Sequence, residues 1–298
     1  MEKVITVLLN PKSGISHLDD RPALVARLFE AAGATARIVM LDANVETAGA
    51  VRAAVADGAA SVVAGGGDGT VNSVASALVG SATPLGVLPM GTLNHFARDL
   101  GIPHDLPRAV ATIVAAHTTR IDVGTVNARH FVNNSSIGVY PDIVVEREKL
   151  RQQGHRKWTA LAIATARIVR YYRGLRVRLE ANRKHERART PFLFVGNNEY
   201  ETEGLRLGAR ARLDCGTLFA YLAPRVHARD LPKLLALALL GRMRHTHTLE
   251  VFPASALHVD TPRRHRLRVA LDGEVTVMTT PLKYSIMPLA LTVIVPAR

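Results

Sequence analysis

A single cysteine, Cys215, in 298 residues leaves no intramolecular disulfide open to this chain and suits a reducing compartment. Long apolar runs are missing too. The longest stretches, near Leu234 to Leu240 and Thr159 to Ala166, fall well short of the length that crosses a bilayer. The N-terminal run Val4–Leu9 is soon interrupted by Asn10-Pro11, so it reads as a first β-strand rather than a signal peptide. Acidic residues are scarce against basic ones, 25 to 38, which sets the formal net charge at +13. That excess attracts polyanions: nucleic acid, anionic lipid headgroups or phosphorylated small molecules. No RNA-type aromatic motif, zinc-finger spacing or basic-zipper heptad accompanies it, so no nucleic-acid partner is expected. Internal repeats and low-complexity linkers are also absent. With 48% hydrophobic and 21% charged residues, the chain has the composition of a soluble globular protein long enough for two domains.

The feature that is most informative is Gly65-Gly66-Gly67-Asp68-Gly69-Thr70, between a strand-like run (Ser61–Ala64) and a helix-like run (Val71–Leu78). Glycines there let backbone approach closely, and the helix start leaves N–H groups aimed at an anion. Asp68 would repel a phosphate by itself; a divalent cation between the two removes the conflict, which points to a metal–nucleotide site. The loop lacks the Lys-Ser/Thr pair of a P-loop. It also puts Asp68 where a dinucleotide pyrophosphate would approach. A plain βα turn with Asp68 or Thr70 as helix cap is the structural alternative.

The first third alternates strand-like runs (Val4–Leu9, Thr35–Leu41, Ser61–Ala64, Leu85–Leu88) with helix-like runs (Arg21–Ala32, Glu46–Ala56, Val71–Val79). That spacing predicts an α/β domain with a parallel sheet whose ligands bind at the carboxyl ends of the strands. Three glycine-bearing turns fall at such ends: Asn10–Gly14, the 65–70 loop and Pro89–Asn94. After about Arg120, short strand-like pieces from Phe131–Asn134 to Leu291–Val295 predict a β-rich, sandwich-like second domain. Helical segments around Tyr140–Arg173 and Ala228–Gly241 interrupt it. The first of these is basic, with Arg156, Lys157, Arg167, Arg170 and Arg173 beside Trp158, Leu161, Ile168, Val169 and Tyr172. It suits either an amphipathic helix on an anionic membrane or a core-packed helix with a solvated face.

Taken together, Asn10-Pro11-Lys12-Ser13-Gly14, Gly65–Thr70 with Val71-Asn72, Pro89–Arg98, Gly196-Asn197-Asn198, Leu213–Leu218 and Leu271-Asp272-Gly273-Glu274 resemble the diacylglycerol kinase catalytic family, specifically its soluble bacterial branch. The resemblance implies a nucleotide-binding α/β domain over residues 1–120, rejoined by a C-terminal return at about 286–298. A β-rich lipid-substrate domain would occupy 121–285. It further implies transfer of the γ-phosphoryl of ATP to a lipid hydroxyl such as that of diacylglycerol, with Mg²⁺. By that likeness Asn10, Gly66, Gly67, Asp68, Gly69, Thr70, Asn72 and Thr92 bind ATP, Asp68 holds the catalytic Mg²⁺, and Glu274 is the general base. Asp272, two residues away, would assist the metal or the proton if both lay on one strand face; the bland reading of Asp272-Gly273-Glu274 is a hairpin turn. Two positions depart from the family pattern. Cys215 replaces an acidic residue, which puts in doubt a structural Mg²⁺ at Arg212, Cys215 and Thr217. His95 replaces an Asp after the Gly-Thr-x-Asn motif.

The expected partners are a lipid substrate at an anionic membrane surface, for a cytoplasmic, peripherally associated enzyme; a homodimer is left open. An NAD kinase-like enzyme and a non-catalytic nucleotide- or lipid-binding protein are the alternatives.

Overall fold

Every residue of β1 (Ile5–Leu9) is buried, as expected for an interior strand of a parallel sheet covered on both faces. In the computed structural model, residues 4–11, 13, 20–42, 45–172, 174–181, 184–201, 209–223, 226, 230, 250–262 and 264–297 are described. Helices α1 (Arg21–Ala31) and α2 (Thr47–Ala56) alternate with β2 (Ala36–Met40) and β3 (Ser61–Gly66). Then follow α3 (Asp68–Leu78), β4 (Leu85–Pro89), α4 (His95–Asp99), α5 (Leu106–Ala115) and β5 (Thr118–Val126). Strand β1 pairs in parallel with β2 and β3, and β3 pairs in parallel with β4. Val71, Val74, Ala75 and Leu78 are buried at the i, i+3, i+4, i+7 spacing that seats α3 on this sheet.

The remaining elements are β6 (Arg129–Phe131), β7 (Asn134–Gly138), α6 (Val139–Gln152), α7 (Lys157–Tyr171), β8 (Leu175–Ala181), β9 (Lys184–Thr190) and β10 (Phe192–Asn197). They continue through β11 (Leu218–Leu222), β12 (Glu250–Ala254), β13 (Ala256–Asp260), β14 (Arg266–Leu271), β15 (Glu274–Thr279) and β16 (Leu282–Ile294). The chain divides into one unit of residues 1–123 and 288–298 and a second of residues 124–287, against expected limits of 120 and 286. Both divisions fall inside strands, β5 and β16, and the end of β16 joins the first unit's sheet by pairing Val293 in parallel with Leu85. The C-terminal strand-like piece read at Leu291–Val295 is therefore the tail of a 13-residue strand.

The second unit is an antiparallel sandwich. One sheet runs β12-β11-β10-β7-β14-β15, and the other places β13 between β16 and β8, with β9 beyond. Strand β8 alternates strictly between buried and exposed residues, the signature of a sheet with one wet face. Leu193, Val195, Val269 and Leu271 from the first sheet share one core with Val177, Leu179, Val259 and Tyr284 from the second. Tyr284 is packed edge-on against Phe131 at 6.4 Å, an arrangement worth about 0.5–1.5 kcal/mol beyond area burial. Its phenol meets Ser135 Oγ at 3.1 Å, so its one polar atom is not stranded.

The single helical segment expected around Tyr140–Arg173 is two packed helices. Gly154, at φ +91°, ends α6, and residues 153–156 return the chain into α7. Leu150, Ala160 and Ala164 form their shared core, and Arg167 Nη1 meets Glu146 Oε1 at 2.9 Å across the pair. The helical run read at Ala228–Gly241 lies outside the described residues except for Asp230. No helix among the described residues is long and apolar enough to cross a membrane.

Candidate active site

Strand β3 carries the chain through Gly66, and α3 begins at Asp68, so the turn between them is Gly67 alone and Thr70 lies in the first helical turn. Packing explains the glycines. A Cβ on Gly66 would sit 2.5 Å from Thr70 Oγ1, and one on Gly91 would sit 2.5 Å from Gly67 Cα and 2.8 Å from Asn94 Oδ1. The two glycine turns thus touch backbone to backbone, and Met90 N–H donates to Gly66 O at 3.0 Å. Asn94 closes the second turn: its Oδ1 accepts from Gly91 N–H at 2.8 Å while its Nδ2 donates to Gly91 O at 2.9 Å. Its positive φ of 49° is one asparagine tolerates better than most side chains. Thr92 and Leu93 stand exposed at the tip. Asn10 Nδ2 donates to Thr70 Oγ1 at 2.9 Å, so the first and second loops are also tied together. Lys12 and Gly14 of the first loop lie outside the described residues.

Asp68 has two different oxygens. Oδ1 accepts from the Phe96 amide at 3.2 Å, supplying the cap that Asn94 does not give α4. Oδ2 has no hydrogen-bond partner among the described residues. The amides of Asp68, Gly69 and Thr70 start an 11-residue helix and have no intrahelical acceptor. Asn72 is buried, yet its Oδ1 finds no partner among the described residues. Free donors at a helix start, a single available carboxylate oxygen and backbone laid bare by glycine fit a phosphate chain with a magnesium ion. Such an ion keeps several waters and takes only one or two carboxylates. No group of three or more His, Cys, Asp or Glu gathers among the described residues.

In the second unit, Asp272 and Gly273 form a two-residue hairpin turn with φ of +47° and +91°. Leu271 pairs with Glu274 across it. The two carboxylates are therefore not neighbours on one strand face, which corrects the idea that they act side by side. Glu274 is exposed at the start of β15. Desolvation raises its pKa above the ordinary 4.5 and the nearby Arg129 guanidinium opposes that rise. Asp272 is buried and fully engaged: Oδ2 accepts from Val132 N–H at 2.8 Å, and Oδ1 accepts from the amides of Asn133 at 2.9 Å and Asn134 at 2.8 Å. Burial pushes it up to about 6, with those three hydrogen bonds and the Arg210 charge pulling the other way. Both its oxygens are occupied in holding the 132–134 backbone.

At the third place read from the sequence, Arg212 Nε meets Asp214 Oδ1 at 3.0 Å in an exposed ion pair. Cys215 is exposed, and its amide donates to Asn198 Oδ1 at 2.9 Å. Thr217 Oγ1 donates to Cys215 O at 3.2 Å. His95 is exposed, with Nδ1 3.1 Å from Arg98 Nη2 one turn along α4.

Residues 4–126 match the diacylglycerol kinase catalytic domain, and residues 136–295 match the YegS C-terminal NAD kinase beta sandwich-like domain. The chain belongs to the diacylglycerol kinase catalytic family. As a member of that family it is a kinase-type transferase. Among its relatives is a diacylglycerol kinase of Staphylococcus epidermidis, 27% identical over 224 residues, covering 72% of this chain and 67% of the relative. One from Staphylococcus aureus is 28% identical over 226 residues with the same coverage. The crystal structure of a diacylglycerol kinase from Bacillus anthracis superposes over 99% of this chain and 97% of its own, with a TM-score of 0.72 at 20% identity; that likeness speaks for the fold.

Within this family member, the sequence reading passed over Arg210. It is buried, donating through Nη1 to Val132 O at 2.7 Å and Asn197 O at 2.9 Å, and through Nη2 to Asn133 Oδ1 at 2.7 Å. Asn197 Nδ2 also reaches Val132 O, at 3.0 Å. Arg210 and Asp272 thus grip one loop from its carbonyl and amide sides, positioning the turn that presents Glu274. The doublets Asn133-Asn134 and Asn197-Asn198 are the local trace of this network, but nothing near Arg210 in sequence marks it.

The contact between glycine turns makes a direct prediction. Gly91→Ala forces Gly67 and Gly91 apart, at a strain cost of about 1–3 kcal/mol. Isothermal titration with a non-hydrolysable ATP analogue should show at least a roughly tenfold loss of affinity, while the circular dichroism spectrum is retained. Unchanged affinity would show that close approach of the two turns is not needed for binding.

Proposed function

We propose that this protein is an ATP-dependent lipid kinase that moves the γ-phosphoryl group to a lipid hydroxyl such as that of diacylglycerol. The observation that carries the reading is Asp68, with one oxygen held by the Phe96 amide and the other open at the first residue of α3. Phosphoryl transfer needs positioning and charge neutralisation more than covalent help from the protein. In this reading the first-turn amides of α3, with Asn10, Asn72 and Thr92, bind and orient the nucleotide. Asp68 would hold Mg²⁺, which would supply neutralisation of the phosphate charge. Glu274 takes the proton from the acceptor hydroxyl as its oxygen bonds to phosphorus and the bond to the ADP oxygen breaks. The raised basicity of Glu274 favours that role.

A lipid acceptor also gives the basic helix a purpose. Trp158 and Tyr171 are each 74% exposed on α7, with Lys157 and Arg170 5.8 Å from their respective ring centroids. Amphipathic aromatic side chains flanked by cations suit the headgroup layer of an anionic bilayer.

The deciding assay offers labelled ATP and Mg²⁺ to the protein with a panel of lipid alcohols in mixed micelles, and NAD as a soluble acceptor. Label on a lipid is the expected result and names the acceptor class. Label on NAD alone, the outcome that the NAD kinase-like sandwich model would favour, overturns the lipid reading. So does the absence of transfer to every acceptor.

A further inference from the structure

The second unit contains a pocket of about 270 Å³ that none of these catalytic roles uses. Leu267, Val269 and Leu271 of β14 face the sandwich core, and the alternate residues Arg266 and Arg268 face outward with Arg264 just before them. The opposite wall comes from the start of α6 and the end of α7, through Gly138, Asp142 and Tyr172. Gly138 allows this wall: at φ +106° a Cβ there would run into the carbonyl of Pro191.

Charge in the pocket is unbalanced. Three arginines face one aspartate, leaving a residual charge of +2. Arg268 Nη1 pairs with Asp142 Oδ1 at 2.7 Å, whereas the guanidiniums of Arg264 and Arg266 have no acceptor among the described residues. Tyr172 adds a neutral donor: burial, and secondly the charge of Asp142, push its phenol up to about 12 against the opposing pull of Arg264. Close guanidiniums repel one another until an anion joins them, and their planar forks match phosphate oxygens. A phosphate monoester carries roughly −1.5 to −2 at neutral pH, close to what the lining leaves unmatched, whereas a carboxylate would compensate only one arginine. The volume lies just under the usual range of about 300–1,000 Å³ for small-molecule pockets, so it suits a headgroup rather than an acyl chain.

We propose that Arg264, Arg266 and Arg268 form a binding site for a phosphate monoester, built from residues none of which belongs to the nucleotide loops. The ligand's phosphate lies against Arg264 and Arg266, and Arg268 stays tied to Asp142 and holds the α6 wall in place. Such a group reaches the protein either on a soluble metabolite or on an anionic lipid headgroup.

Two probes separate these sources. The full chain, saturated with a non-hydrolysable ATP analogue, is titrated calorimetrically with glycerol phosphate. In parallel it is co-sedimented with phosphatidylcholine vesicles with and without phosphatidate. Binding of either probe is expected to weaken about 10- to 100-fold in the Arg264→Ala/Arg266→Ala double variant. The milder Arg266→Gln should weaken it less. Loss confined to the soluble probe identifies a metabolite, and loss confined to phosphatidate vesicles identifies a headgroup. The control with matched charge is Arg178→Ala/Arg187→Ala, a pair directly opposed on β8 and β9. An equal loss in that control would mean that total charge, not the pocket, attracts phosphate and would overturn the proposal. Failure of the wild-type protein to bind either probe would overturn it as well.

Discussion

Under the proposed function, replacing Glu274 by glutamine is expected to lower the turnover of lipid phosphorylation by about 10²- to 10⁴-fold, the usual contribution of a positioned general base. Nucleotide affinity is expected to stay within about twofold, because in the proposed function Glu274 acts on the acceptor hydroxyl and not on the nucleotide. The side chain is accessible at the start of β15, yet partial desolvation makes it a stronger base than an ordinary glutamate, while Arg129 tempers that effect. The sign of the pH dependence follows. A base must be deprotonated to work, so turnover rises with pH through a pKa above the ordinary 4.5. Removing the cation in Arg129→Ala moves the acid limb of the kcat/KM profile to higher pH. Retained turnover in Glu274→Gln, or an acid limb that shifts the opposite way in Arg129→Ala, would remove Glu274 from this role.

The largest loss of stability is expected from Asp272→Ala, at about 3–5 kcal/mol. The substitution strips acceptors from three backbone amides at 2.8–2.9 Å and leaves the buried Arg210 without its nearby counter-charge. Urea unfolding monitored by circular dichroism measures the loss; a change under about 1 kcal/mol would mean that the 132–134 loop is held by other contacts. Acidity offers a second readout. Burial raises the Asp272 carboxyl from 3.8 to about 6 in the folded chain, so the folded state holds the proton more tightly than the unfolded state. Its contribution is therefore fully present below about pH 4 and is lost as pH rises through 6, a difference on the order of 3 kcal/mol. In Asp272→Asn that slope between pH 4 and 6 disappears from the stability profile.

Legibility in the sequence follows the range of the interactions involved. The buried run Ile5–Leu9, the apolar spacing of α3 and the strict alternation of β8 are local periodicities, and each predicts its element directly. The turn residues Asp272-Gly273 announce a hairpin because two successive positive φ values are what that dipeptide accommodates. What that hairpin does is not local. Asp272 meets Val132, Asn133 and Asn134, which lie about 140 residues earlier in the chain, and Arg210 joins them from a third segment.

From its sequence alone, this protein reads as an α/β unit with a glycine-rich anion loop followed by a β-rich unit, and its resemblance to the kinase family marks Asp68, Asp272 and Glu274 as candidate catalytic carboxylates. The pattern suffices because glycine, aspartate and apolar periodicity constrain the backbone within a few residues. Tertiary structure alone decided that one oxygen of Asp68 caps α4, that Asp272 supports a loop, and that three arginines gather at one pocket. Those outcomes depend on which strands and helices pack together, and pairings between distant segments leave no periodic mark in the chain.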